Sequence, residues 1–95
     1  MLFRSAEFDS VVALDIRQRL SELESSRAAQ AAAETAVRAA TEARRVVGER
    51  FNAGVATSTD VVDAQVAILQ ASLDRTQALV AAQLASARLN RAIGR

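Results

Sequence analysis

The chain has 95 residues, of which 12 are basic and 11 acidic for a formal net charge of +1, and 51% of it is apolar although only 3% is aromatic. A length of this order supports one structural unit, alanine must supply most of its core, and the near-balance of charge excludes a general attraction to nucleic acid or an anionic bilayer. His, Cys, Trp and Tyr are absent and every basic residue is Arg, so the usual general base, thiol nucleophile and Schiff-base amine are missing. The chain therefore reads as a non-enzyme without a cofactor or metal.

In chain order, residues 1–10 show no firm pattern beyond Leu2, Phe3 and Phe8 and are assigned to an extension of undecided structure. Acids at Glu7 and Asp9 interrupt any signal-peptide core, and no later window holds the roughly 18 uninterrupted apolar residues of a membrane-spanning helix. The expectation is that the chain alone neither enters nor spans a bilayer. From about residue 11 to 53, Val12, Ile16, Leu20 and Leu23 recur at intervals of four and three, and the line continues through Ala29, Ala33, Ala36, Ala40, Ala43 and Val47. That heptad-like stripe predicts a long helix packed along one seam. Val37, Ala40, Val47 and Phe51 broaden its apolar face, and Glu34/Arg38 and Glu42/Arg45 have the spacing of outward ion pairs.

The helical pattern breaks once, between Arg50 and Gln65. Gly54 suits the left-handed residue that closes a helix, and Thr57 and Asp60 have the spacing of a capping box that opens the next one. The turn is placed at about 54–57 and the second helix at about 58–94. Along that helix Val61, Ala64, Ile68 and Ala71 form one line, which passes Arg75 and resumes through Ala78, Ala82, Ala85 and Leu89; Val62, Val66, Leu69, Leu73 and Val80 form another. Two apolar lines on one helix exceed what a single hairpin partner can cover. A turn centred near Val55 sets Ala43 against Ile68, Ala33 against Ala78 and Leu23 against Leu89, leaving the first helix without a partner before about Ile16. The paired arms are then roughly 55 Å long. The predicted fold is all-α, a long antiparallel two-helix coiled-coil hairpin.

Most of the conspicuous side chains have plain explanations. Asp60 is in a first helical turn, where a carboxylate caps anywhere; Asp63 suits a solvated face; Phe51 suits packing that seals the hairpin end; the arginines suit solvent.

The run Glu49-Arg50-Phe51-Asn52-Ala53-Gly54-Val55-Ala56-Thr57-Ser58-Thr59-Asp60-Val61-Val62-Asp63-Ala64-Gln65 resembles the hairpin signature of the TolC-like outer-membrane efflux proteins. Residues 12–28 are similar to that family's helix entry and residues 85–94 to its close. The likeness covers the chain from about Val11, with high specificity at the turn and low specificity in the alanine-rich arms. It implies a fragment, one hairpin of a trimeric export duct whose β-barrel spans the outer membrane and whose periplasmic α-helical tunnel docks an adaptor and an inner-membrane transporter. No barrel strand and no second repeat occur in this sequence. Carried onto it, Gly54, Val55, Ala56 and Thr57 would be the tip that the adaptor touches, Asp60 and Asp63 would be acids at the pore entrance, and Phe51 would pack at the tip. Phe51 replaces a tyrosine of some members and Ala56 an arginine, which removes a phenol and a guanidinium from the gate. The competing expectation is a free-standing coiled-coil interaction module or adaptor hairpin.

Overall fold

The structure, a computed structural model, describes residues 2–94, with side-chain surroundings from residue 6 onward. Helix α1 spans Leu2–Asn52 and helix α2 spans Ser58–Ala92, and no strand occurs among the described residues. Laid end to end, helices of 51 and 35 residues would reach about 130 Å at 1.5 Å per residue. The molecule measures 79 × 16 × 14 Å, the length of α1 alone and the width of two helices, so α2 folds back along α1 as an antiparallel hairpin. The helix continues back through residues 2–10, for which the sequence offered no pattern.

The seam obeys a strict heptad. On α1 the seam runs through Val12, Ile16, Arg19, Leu23, Ser26, Gln30, Ala33, Val37, Ala40, Arg44 and Val47, alternating four and three apart, with Asp15, Glu22, Val46 and Gly48 half-buried beside it. On α2 it runs through Val61, Ala64, Ile68, Ala71, Ala78, Ala82, Ala85, Leu89 and Ala92, with Ser72 and Ser86 half-buried beside it and Arg75 exposed at the one remaining heptad place. Such spacing keeps one stripe facing its partner along the whole length. Among the described residues only Leu23, Ala71, Ala82 and Ala85 are buried, and none of them completely, so the core is thin and mostly methyl groups, which lets the helices approach closely.

The α2 line lies where the sequence placed it; the α1 line needs correction. Leu20, Ala29, Ala36 and Ala43 are exposed, and the seam passes instead through Arg19, Ser26, Gln30 and Arg44. Alanine occurs on every side of α1, so apolar identity does not mark its inner face; the unbroken heptad phase does. Because Ala43 lies off the seam, it does not face Ile68. The expected Glu34/Arg38 pair is also not made, since Arg38 Nη2 donates to Thr35 Oγ1 at 3.1 Å. Glu42 does pair with Arg45, whose guanidinium reaches Glu42 and Glu49 at 2.6 Å each. Helix α1 runs unbroken through Gly48, where a Cβ would lie 2.7 Å from Arg44 Nη1. The contact would be with the far end of a flexible side chain, which can move aside.

Candidate docking and entrance site at the hairpin tip

The tip is built by two helix ends that satisfy their own backbones. At the close of α1, Gly54 has φ 79°, its N–H donates to the Phe51 carbonyl at 3.0 Å, and the Val55 N–H donates to the Arg50 carbonyl at 2.9 Å. These are the two bonds of a Schellman closure, which requires a left-handed residue and so favours glycine. At the start of α2, Thr57 is extended at φ −92°, ψ 164°, and accepts from the Asp60 N–H through its hydroxyl at 3.1 Å, while Asp60 Oδ2 accepts from the Thr57 N–H at 2.9 Å. The reciprocal pair fixes the angle at which the chain re-enters helix. The Thr57 backbone N–H first, and its hydroxyl second, hold the Asp60 carboxyl below the ordinary value.

A shallow groove opens beside this turn, lined by Val47, Arg50, Val55, Ala56, Asp60, Asp63 and Ala64. It brings Asp60 and Asp63 together with two of the four expected tip residues, Val55 and Ala56; Gly54, Thr57 and Phe51 lie outside it. Val55 is 74% exposed at the apex, and Phe51 retains 45% exposure, so the ring is only partly used in sealing the hairpin end. Val47, Arg50 and Ala64 complete the groove and were not singled out from sequence. Arg50 had a usable signal, a cation in the last turn of a helix, where the dipole favours it. No ion pair links Arg50 to either acid among the described residues, so the groove presents one guanidinium and two carboxylates to solvent. No set of three potential ligands that could hold a metal occurs among the described residues.

Away from the tip, the hairpin carries two unlike outward faces. Ala29, Ala32, Ala36, Ala39 and Ala43 follow the heptad on α1 and are all exposed; Val62, Val66, Leu69, Leu73 and Val80 follow it on α2 and are also exposed. In heptad terms, counting a and d as the seam, the alanines occupy c and g of α1 and the larger residues b and f of α2. In an antiparallel pair the b and e sides of both helices share one flank and the c and g sides share the other. The alanine stripe therefore turns toward one flank and the valine-leucine stripe away from it. One face presents small methyl side chains, the other larger valine and leucine side chains. No described helix is long and apolar enough to cross a membrane.

No protein-family model, no curated protein and no solved structure matches the chain.

Proposed function

We propose that this hairpin is a wall element of a TolC-like export duct, in which it lines the periplasmic tunnel and presents its tip to an adaptor. The observation that carries the reading is the pair of unlike faces. A row of larger side chains on one face and a row of methyl side chains on the other make a head-to-tail interface, in which each hairpin can receive the next, and such interfaces close into rings when the rotation between neighbours permits. A two-helix module with a single interaction surface would need only one face. The Gly54–Asp63 run at the turn supports the same family, and the capped, self-satisfied tip is rigid enough to serve as a docking end.

In this reading the complete protein is a homotrimer anchored by outer-membrane barrel strands, with its helical part in the periplasm, working with an adaptor and an inner-membrane transporter. It has no catalytic role. Asp60 and Asp63 contribute a ring of carboxylates at the entrance, which favours cations and weakens with salt. The full-length gene product that carries this hairpin, purified from the outer-membrane fraction and reconstituted in a planar bilayer, is expected to be a trimer that conducts with cation preference. A product found outside the membrane fraction that gives no conductance would overturn the reading in favour of a free-standing interaction hairpin.

A further inference from the structure

Helix α2 keeps its charges on one flank. Asp60, Asp63, Asp74, Arg88 and Arg91 all occupy c or g of its heptad, and of its charged residues only Arg75 does not. The c and g positions of α1 share that flank and carry Asp15, Glu22 and Arg50. Both charged clefts of the hairpin open there, the tip groove with Arg50, Asp60 and Asp63, and a second at the open end with Asp15, Arg19, Arg88 and Arg91. The two ends differ in sign. The tip holds one guanidinium and two carboxylates. At the open end Asp15 and Glu22 already bind Arg19, at 3.5 and 3.3 Å, while Arg88 and Arg91 make no ion pair among the described residues, so the described side chains there are net positive. Between the ends, α1 presents the alanine stripe with Ser25 and Val46, and α2 presents uncharged side chains apart from Asp74.

We infer that this flank is a self-association surface, on which a second copy of the chain packs antiparallel about a two-fold axis. The axis crosses α1 midway between Ala32 and Ala36 and α2 midway between Asp74 and Gln77, two points at similar distances from the turn. Arg88 of one copy then falls opposite Asp63 of the other, Arg91 opposite Asp60, and Arg50 opposite Gln18 with Asp15 and Glu22 on either side; symmetry makes each contact twice. On α1, Ala32 meets Ala36 and Ala29 meets Ala39, side chains small enough for close approach. Sliding the contact by one heptad would set those acids against Leu84 and Ala81, or those arginines against Gln70 and Ala67. A parallel pair would stack acidic end on acidic end and basic on basic. One like-charge contact remains, because the two copies of Asp74 lie about one helical turn apart near the axis, each opposite the other's Gln77. From Asp15 to Arg50 the flank is about 50 Å long and the hairpin is 16 Å across, which gives each copy roughly the 800 Å² of a standard interface. Screening weakens the charged ends and with them the pair. The pair occupies the alanine stripe that a wall neighbour would use, so it is a form of the free chain at low ionic strength, and salt frees the stripe for head-to-tail packing. The inference stands independently of the duct reading.

The 95-residue chain has no cysteine, so single cysteines report the contact directly. Chains carrying Ala29→Cys and Ala39→Cys, mixed at low salt and mildly oxidised, are expected to give the 29–39 disulfide between chains in clear excess over both homotypic products. Arg88→Glu, which faces Asp63 at two symmetric contacts, is expected to weaken dimerisation of the cysteine-free chain at least fivefold in low-salt sedimentation. Asp63→Arg combined with Arg88→Glu is expected to restore it, and helical content by circular dichroism reports whether each variant folds. Asp74→Asn, which removes the like charges at the axis, is expected to tighten the pair. A monomer at low salt, a statistical mixture of the three disulfides, a double reversal as weak as the single one, or an Asp74→Asn chain that pairs no more tightly would each overturn the inference.

Discussion

The Asp60 carboxylate and the Thr57 hydroxyl exchange bonds with each other's backbone N–H, which makes the start of α2 sensitive both to substitution and to acid. Thr57→Ala is expected to cost about 1 kcal/mol, the usual loss for an N-cap oxygen, and this can be read from the urea midpoint. Asp60 ionises more readily in the folded chain than in the unfolded one. Its contribution is therefore present in full above the unfolded carboxyl value of about 4 and is lost as pH falls through the lower folded value. Asp60→Asn keeps an oxygen that can accept from the Thr57 N–H but no longer titrates. Its unfolding free energy should fall less steeply between about pH 4 and pH 2 than that of the parent. In the complete duct, Asp60→Asn with Asp63→Asn is expected to reduce cation preference while assembly persists; unchanged selectivity would make both acids structural only. Gly48 offers the opposite kind of change. Alanine there gains about 1 kcal/mol of helix propensity, and the atom it would meet is the far end of the flexible Arg44 side chain. Gly48→Ala should therefore raise the melting temperature by a few degrees, with α1 unchanged.

How much of each helix the sequence discloses depends on how sharply composition distinguishes its faces. In α2 the inner line is broken only by Arg75 and the outer line carries larger side chains, so both stripes can be read directly from spacing. In α1 alanine occupies seam and surface alike, and the phase is kept by Arg19, Ser26, Gln30 and Arg44, residues that a search for apolar spacing discards. The end of the Arg44 side chain lies beside Gly48, a relation visible only once the helix is built. At the tip, Gly54, Thr57 and Asp60 were legible because each backbone role admits few residue types, whereas Val47 and Ala64 join the groove only through the register of the hairpin. That register predicts that cysteines at Val47 and Ala64, which line one groove, crosslink within a chain, while cysteines at Ala43 and Ile68 do not. The seam itself has little volume to spare. Ala85 is 4% exposed, so Ala85→Leu should force the helices apart at a cost of about 1–3 kcal/mol. Leu23, 7% exposed, is the one large buried side chain among the described residues, and Leu23→Ala should cost about 2–3 kcal/mol.

Across the whole molecule, 79 Å long, only four of the described residues are buried, while two stripes remain in solvent. A thin core with large uncovered faces gains order from neighbours. The alanine stripe and the valine-leucine stripe determine what kind of assembly results, since like faces meeting would close a dimer and unlike faces meeting propagate around a ring. The most direct test is a mixed disulfide. Ala39 and Leu73 stand at similar distances from the turn, one on each outward stripe, so two preparations are mixed, one carrying Ala39→Cys and the other Leu73→Cys, and mildly oxidised. Head-to-tail packing predicts that the 39–73 crosslink between chains dominates over both homotypic products. A dominant 73–73 crosslink would show like faces meeting across a two-fold axis and would contradict the role of this hairpin as a repeating wall element.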